Sequence, residues 1–293
     1  MAPETRIPAF VNPAAGGADA AIAVLGRHGG FAVEHVAPGE VARHVRDAVH
    51  RGARRILVAG GDGTIGAAAS AMCGEECELA VLPAGTLNHL AQDLGLPEDL
   101  EEAARIAAGT NTTAIDVAEV NGRIFLNTSS VGAYVTFVRT REQLEPRLGY
   151  WLSSGIAALR ILARLRSFRV TLEVDGMPRE YVTPLVFVGV GERDLKLPHL
   201  GKRVPDGRSG LHVMVVRSRT GARVLALALA AAARGVRAVS HTPAMDSFIV
   251  QHVRIEPRRS LLAWRVSVDG EVVELTPPLE YRLRAAALKI VVE

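Results

Sequence analysis

Cysteine is scarce in this sequence, which has only Cys73 and Cys77 among its 293 residues. Their spacing does not match a zinc site, and no further pair of cysteine or histidine residues completes one. The first residues also lack the basic and then apolar pattern of an export signal. We therefore expect a protein of a reducing, cytoplasmic compartment.

Aromatic residues make up only 4% of the chain, and the formal net charge is only +3. A surface that stacks nucleobases needs more aromatic side chains, and one that holds a nucleic-acid backbone needs more positive charge. We therefore expect no nucleic-acid partner, although a mild basic bias suits an anionic ligand or an anionic membrane surface. Long apolar runs are absent too, since none reaches the ~20 residues that are needed to span a bilayer.

The first third of the chain alternates predicted strands with predicted helices, a rhythm that is typical of a mostly parallel α/β sheet. The strands are predicted at 7–11, 31–36, 55–59 and 79–82, with helices at 18–28, 40–51 and 100–108. From near residue 116 short strands dominate, with helical insertions at 150–166 and 221–239. The strands are predicted at 114–120, 123–126, 169–174, 185–190, 211–216, 247–255, 263–268 and 271–275. They are joined by the hairpin dipeptides Asn121-Gly122, Asp175-Gly176 and Asp269-Gly270. This second pattern predicts a β-sandwich domain, and a final strand at 289–292 could pair in either domain.

A glycine-rich turn, Gly60-Gly61-Asp62-Gly63-Thr64, lies between a predicted buried strand and a helix that is predicted to begin at Ile65. Glycines let a phosphate approach the backbone closely, and the first helical turn offers N–H groups and a partial positive charge. Asp62 would repel a phosphate unless a metal ion or a reacting hydroxyl lay between them. The turn therefore favours phosphoryl transfer over simple nucleotide storage. The chain has neither a Walker A lysine motif nor the protein-kinase signature set.

Two other turns follow predicted strands in the same way, Asn12-Pro13 and the segment from Pro83 to Asn88. Because the C-terminal ends of parallel strands lie at one edge of a sheet, we expect the three turns to converge on one crevice. Glycine, proline and asparagine are also ordinary turn residues, so each turn taken alone could be purely structural.

At this point the motifs resemble those of a known family. Asn12-Pro13-Ala14-Ala15-Gly16, the Gly60–Thr64 turn, Pro83–Asn88 and Val268-Asp269-Gly270-Glu271 occur in the order and rough spacing of the diacylglycerol kinase catalytic family. That family includes bacterial lipid kinases, sphingosine kinases and ceramide kinases. The glycine motif is shared with NAD kinases, whereas the Asp-Gly-Glu turn near the C-terminus favours the lipid-kinase branch.

The resemblance implies an α/β nucleotide-binding domain and a β-sandwich lipid domain, with the active site in the interdomain cleft. The first domain would span residues 1–115, completed by 277–293, and the second would span 116–276. Asp62 would position the phosphates and Mg²⁺, and Glu271 would be the general base that takes the proton of the lipid hydroxyl. Without the other motifs, Glu271 would be interpreted as an exposed hairpin acid. ATP would bind at Asn12, Gly60, Gly61, Asp62, Gly63, Thr64, Ile65, Gly66, Gly85, Thr86 and Asn88.

Several positions depart from the pattern of the family. Gly66 stands where asparagine is frequent, Ala37-Pro38 stands where a threonine is frequent, and Gly16 to Asp19 include no basic residue. Many bacterial members carry acids before the strand that begins at Leu211, and these acids bind a structural magnesium ion. Here Asp206 could be a displaced metal ligand, or Ser209-Gly210 could take its place without the acid.

Three functions therefore stay open, of which an ATP-dependent lipid kinase is favoured. The alternatives are a small-molecule kinase similar to NAD kinase, and a catalytically impaired protein that binds nucleotide or lipid. The predicted helices at 150–166 and 221–239 interleave apolar residues with arginines, which suits a peripheral membrane surface, although each could instead pack on its own domain. A β-domain edge could pair two chains into a homodimer. His89, which follows Asn88, is interpreted as a helix residue rather than a catalyst.

Overall fold

The computed structural model describes residues 6–163, 166–174, 176–194, 202–204, 206–217 and 245–293. Its contacts divide the chain into two compact units. The first comprises Met1–Val117 with Arg284–Glu293, and the second comprises Ala118–Leu283. The functional domain limits given above, at 115/116 and 276/277, stay a prediction.

The first unit alternates strands and helices from residue 7 to residue 108. The helices form where apolar residues recur at helical spacing. In α2, for example, Val41, Val45 and Ala48 are buried on one face while the arginines are exposed. Its elements are β1 (Ile7–Val11), α1 (Ala18–His28), β2 (Phe31–His35), α2 (Val41–His50), β3 (Arg55–Gly60), α3 (Asp62–Met72), β4 (Glu78–Pro83), α4 (His89–Asp93) and α5 (Leu100–Ala108).

The sheet of the first unit has the strand order β2-β1-β3-β4, and every pair in it is parallel. Lys289 and Ile290 pair with β4, again in parallel. The strand order reverses at β1, which has β2 on one side and β3 on the other. In open α/β sheets, ligands bind at such a reversal, outside the C-terminal ends of the strands. The predicted parallel α/β sheet is therefore confirmed.

In the described residues, twelve strands and the helical segment α6 follow α5. Their bounds are β5 (Thr112–Val120), β6 (Arg123–Phe125), β7 (Thr128–Gly132), α6 (Ala133–Ala163), β8 (Phe168–Val174), β9 (Met177–Thr183), β10 (Leu185–Val190), β11 (Leu211–Val216), β12 (Met245–Val250), β13 (His252–Pro257), β14 (Trp264–Val268), β15 (Glu271–Leu275) and β16 (Leu279–Val291). Strand β16 begins in the second unit and ends in the first.

Two antiparallel layers form the second unit. One has the order β12-β11-β10-β7-β14-β15, and the other joins the first residues of β16 to β13, β8 and β9. Side chains from both layers share one core, with Leu172, Ile255 and Tyr281 from one and Val188 and Val213 from the other. The predicted antiparallel β domain is confirmed, and its layers share a core as those of a sandwich do.

Two parts of the predicted element pattern are wrong. A helix that was not predicted begins at Ala133 and runs to Gly149, whose backbone is non-helical (φ 72°, ψ 168°), and the helix predicted from residue 150 follows this break as the remainder of α6, to Ala163. The single strand predicted at 247–255 is two strands, β12 and β13, which lie in different sheets. The last strand begins at Leu279 rather than Lys289. Strands β7 and β9 had no counterpart in the prediction. The helix predicted at 221–239 lies outside the described residues.

Candidate functional site

Asn12 links the first two of the predicted turns. It follows β1 and is nearly buried, and its side-chain amide donates to Thr64 Oγ1 over 2.9 Å. Its Oδ1 accepts the N–H of Ala14 at 2.9 Å, which turns the chain away from the strand. Thr64 is also nearly buried. The hydrogen bond from Asn12 to Thr64 thus joins the first turn to the second.

The glycine turn is shorter than predicted, because α3 begins at Asp62 rather than Ile65. Gly60 ends β3, and Gly61 precedes the helix in an extended conformation. Asp62, Gly63 and Thr64 therefore form the first helical turn, whose N–H groups lack intrahelical acceptors. Ile65 is buried, and its N–H donates to the carbonyl of Gly61 at 3.0 Å. An anion at this helix end would meet the amides that precede Ile65.

Gly85 of the third turn packs against Gly61 of the second. A Cβ on Gly85 would lie 2.4 Å from the Cα of Gly61 and 2.8 Å from Asn88 Oδ1. Asn88 closes the third turn, since its Oδ1 accepts the N–H of Gly85 and its Nδ2 donates to the Gly85 carbonyl, each at 3.0 Å. Thr86 lies between them and is exposed. The structure thus brings all three predicted turns together at one edge of the sheet.

Replacing Gly85 with alanine is expected to lower the free energy of unfolding by about 1–3 kcal/mol, because the added methyl has no room beside Gly61. Nucleotide affinity should fall with it. Gly26→Ala is the matched control. A Cβ there meets nothing within 4 Å, and alanine favours the interior of α1, so stability should rise by about 0.5–1 kcal/mol. Urea unfolding checks both values, and an unchanged Gly85→Ala midpoint would refute the close packing.

Asp62 connects the start of α3 to the start of α4. Its Oδ2 lies 3.1 Å from His89 Nδ1, and its Oδ1 accepts the N–H of Leu90 at 3.4 Å. The side chain is 19% exposed, so one side of the carboxylate faces solvent. His89 does lie in a helix, as predicted, but its contact with Asp62 was not predicted. Its position directly after Asn88 was the available signal.

Asp269 anchors the hairpin that carries Glu271. Its carboxylate accepts three backbone N–H groups, those of Leu126 at 2.7 Å, Asn127 at 2.8 Å and Thr128 at 2.9 Å. Burial raises the pKa of the Asp269 carboxyl, while these three donors act to lower it. Its backbone is left-handed (φ 46°), as a two-residue hairpin turn requires. The sequence identified the turn but not this buried carboxylate.

Replacing Asp269 with asparagine is expected to lower the free energy of unfolding by about 1–3 kcal/mol. Asparagine tolerates the left-handed backbone, but its NH₂ group would face at least one of the three donated N–H groups. The control Asp47→Asn removes an exposed ion pair with Arg43 and should change stability by less than about 0.5 kcal/mol. Chemical denaturation compares the two, and equal midpoints would contradict the anchoring role.

Glu271 is the first residue of β15 and is exposed. Its Oε2 lies 2.8 Å from Arg123 Nη2, and both side chains are about half exposed, at 57% and 45%. Glu271 pairs with Val268 across the hairpin, so the Asp269 anchor also fixes the backbone that carries it. Arg123 is a partner that sequence reasoning missed.

Asp206 lies in an exposed turn. Within the described ranges, no group of three or more histidine, cysteine, aspartate or glutamate side chains could hold a metal ion. Nearby, the Glu192 carboxylate accepts the N–H of Arg208 at 3.2 Å. His212 Nδ1 accepts the N–H of Arg193 at 3.0 Å, and burial lowers the pKa of His212 to about 4. Protein contacts therefore order this segment, and the metal role of Asp206 stays a prediction.

Comparison with known proteins identifies the part of the chain that carries the three turns. Residues 6–120 match the family model of the diacylglycerol kinase catalytic domain. This segment belongs to that family. The match covers β1 to β5, and it includes every residue of the three turns at the sheet edge.

Curated relatives of this chain carry lipid-kinase names. A Cronobacter sakazakii protein named probable lipid kinase YegS-like is 36% identical over 159 residues, which is 52% of this chain and 52% of the relative. A protein from Escherichia coli O1:K1 / APEC named probable lipid kinase YegS is 35% identical over 119 residues, 38% of this chain and 39% of the relative. The matches thus span about half or less of the length of these relatives.

Solved structures share the fold over nearly the full chain. The crystal structure of a diacylglycerol kinase from Bacillus anthracis str. Sterne superposes with a TM-score of 0.72 at 20% identity and covers 98% of this chain and 97% of that one. Another crystal structure from the same strain gives a TM-score of 0.76 at 22% identity, with the same coverage. At these identities the likeness establishes the fold. In the described part of the chain, no helix is both long and apolar enough to cross a membrane.

Proposed function

We propose that this chain is a lipid kinase that transfers the γ-phosphate of ATP to a hydroxyl of diacylglycerol or a related lipid. The observation that carries the proposal is the contact of three turns at the switch point of the sheet, where Asn12 bonds Thr64 and Gly61 packs on Gly85. The lipid-kinase names of the relatives support the same choice of acceptor.

The residues at this edge fit a nucleotide phosphate chain. Backbone amides at the start of α3 are donors for phosphate oxygens, and the glycines at 60, 61 and 63 present no side chain that would keep a phosphate away. We assign Thr86 and Asn88 to the opposite side of the same site. Asp62 would hold Mg²⁺, which neutralises phosphate charge in phosphoryl transfer. A bound cation also removes the repulsion between Asp62 and a phosphate.

We assign Glu271 the role of the base that accepts the proton of the lipid hydroxyl. Phosphoryl transfer needs little covalent chemistry from the protein, so positioning of the carboxylate is its main contribution. The three hydrogen bonds of Asp269 and the ion pair with Arg123 supply that positioning. Asp269 and Arg123 would act as positioning residues rather than as groups that touch the substrate.

The proposal is tested by incubating the purified chain with labelled ATP, Mg²⁺ and vesicles that contain diacylglycerol, monoacylglycerol or a sphingoid base, and in parallel with NAD. We expect label in one of the lipids. Label in NADP would favour the NAD kinase alternative. Binding of ATP without any labelled product would favour an impaired nucleotide-binding protein, for which Gly66 and Ala37 are the motivating departures.

A further inference from the structure

Among the side chains described in the part of α6 that follows Gly149, two small ones are buried and the three large apolar ones are exposed. Ser153 and Ala157 are fully buried, with 0% exposure. Leu152, Ile156 and Leu159 are instead 57%, 38% and 70% exposed. A helix that packs on a globular core normally does the reverse, because burying large apolar side chains is what stabilises the packing.

The three large side chains form one continuous surface. Positions 152, 156 and 159 are four and three residues apart, so they lie on the same face of the helix. With Leu148, which precedes the break and is 40% exposed, they account for four of the eight exposed large apolar residues in the described part of the chain. We refer to Leu152, Ile156 and Leu159 as the apolar face. An exposed apolar patch of this kind marks an interaction surface.

The stretch of sequence that contains the apolar face carries charge of one sign. Residues 146–172 contain five arginines and no acidic residue. Arg147, Arg160 and Arg166 are exposed, and Arg160 lies one helical turn beyond Ile156, at the flank of the apolar face. In a two-fold dimer built on this face, these arginines would meet arginines of the second copy, and residues 146–172 offer no acid to offset them.

A second exposed segment has the same composition and lies close to residues that follow α6. The 258–263 loop includes Arg258 and Arg259, and its Leu261 and Leu262 are 41% and 96% exposed. The N–H of Arg258 donates to the carbonyl of Arg169 at 3.0 Å. Past the other end of the loop, the ring of Trp264 contacts that of Phe168, with the centroids 5.6 Å apart.

We propose that the apolar face and the 258–263 loop dock the second unit onto the surface of an anionic lipid bilayer. Large apolar side chains enter the boundary between headgroups and acyl chains, while flanking arginines pair with anionic headgroups. The surface lies on the membrane and does not span it. Its link to catalysis rests on the proposed function, because a lipid kinase must reach an acceptor that resides in a bilayer.

The test is cosedimentation of the chain, without ATP, with vesicles of phosphatidylglycerol and phosphatidylcholine in equal amounts. Vesicles of phosphatidylcholine alone provide the comparison. We expect the wild type to bind the anionic vesicles more tightly and to be released by salt. Replacing all three residues of the apolar face with glutamine should weaken binding by at least about tenfold. Arg160→Gln should weaken it about fivefold.

Met177→Gln is the matched control. Met177 is 59% exposed, close to the 57% of Leu152, but it lies at the turn of the β8–β9 hairpin. That turn is at the far end of β8 from the Arg169 contact, roughly 17 Å along the strand. Its binding to anionic vesicles should equal that of the wild type. A Met177→Gln loss as large as that of the triple variant would overturn the proposal.

Three other results would also overturn the proposal. The wild type could fail to bind anionic vesicles. The triple variant could unfold at a lower temperature than the wild type, which would mean that another segment of the chain covers the face. Sedimentation equilibrium could reveal a dimer that the triple variant abolishes.

Catalysis is judged separately with a short-chain diacylglycerol dispersed in detergent, on which the triple variant should retain wild-type turnover. Vesicle binding without phosphorylation of any lipid would refute the proposed function and leave the docking surface standing.

Discussion

Asp62→Ala is expected to lower lipid phosphorylation by about 10²-fold or more, because the variant loses the carboxylate that we assign to Mg²⁺ at the phosphates. The variant should still fold. Asp62 contributes to the start of α3 as an acid at a helix N-terminus, and such interactions are worth about 0.3–1 kcal/mol. Calorimetric titration with ATP should distinguish the two effects. We expect affinity measured with Mg²⁺ to fall much more than affinity measured without it.

Asp19→Asn is the matched control for Asp62→Ala. Asp19 is also an acid in the first turn of a helix, but it is exposed on α1 and has no assigned role. It should lose a similar amount of stability and keep its turnover. Asp62→Asn adds a third comparison, since it can keep one hydrogen-bond acceptor for the N–H of Leu90 while it removes the charge. Near-normal turnover in either Asp62 variant would contradict the metal role.

Glu271→Gln is expected to lower turnover by about 10²- to 10⁴-fold, the range in which a general base contributes. Glutamine has the same shape but cannot accept the proton. Because the side chain is exposed, the free energy of unfolding should change by less than about 0.5 kcal/mol. ATP affinity should be unchanged, since we assign Glu271 to the acceptor rather than to the nucleotide. Initial rates at varied ATP and varied lipid provide the measurement.

The same hairpin supplies a control for Glu271→Gln. Glu274 lies on the same strand, is 61% exposed and pairs with Arg265 at 3.1 Å, so Glu274→Gln removes a comparable ion pair and should leave turnover unchanged. Arg123→Gln tests whether Glu271 affects turnover only through its ion pair with Arg123. We expect Arg123→Gln to cost far less than Glu271→Gln, and equal losses would reduce Glu271 to a structural role.

The first unit was predictable because its signals are local. Its buried strands are continuous apolar runs such as 56–59, and its helices repeat apolar residues at helical spacing. Each strand or helix can therefore be recognised from its own residues. In the second unit the strand boundaries depend on pairing between residues that are distant in sequence, so local patterns predict them less well. Strand β12 passes into β13 through Gln251 alone, and residues 248–255 contain no glycine, proline, asparagine, aspartate or serine to indicate that the chain changes sheet there. The middle of β16, residues 284–286, is exposed and interrupts the alternation that would have revealed the strand.

The candidate site likewise has a part that could be predicted from local sequence and a part that could not. The meeting of the three turns could be predicted, since residues that follow parallel strands lie at one edge of a sheet. The contact of His89 with Asp62 could not, because it depends on how α4 is placed beside α3. Asp269 was recognisable as a turn residue, yet its three backbone partners lie more than 140 residues away in sequence. Long-range hydrogen bonds of this kind leave no mark in local composition.

Strand β16 has a consequence for the order of events during synthesis. The four strands β2-β1-β3-β4 leave the ribosome long before residues 289 and 290, which pair with β4. Translation at roughly 5–20 residues per second therefore leaves the edge of β4 without this neighbour for on the order of ten seconds or more. During that interval the nascent first unit exposes a strand edge that could pair with another nascent chain. In a chain shortened to residues 6–120, the edge of β4 would stay unpaired permanently. That fragment should aggregate more readily than the full chain, which retains residues 284–293.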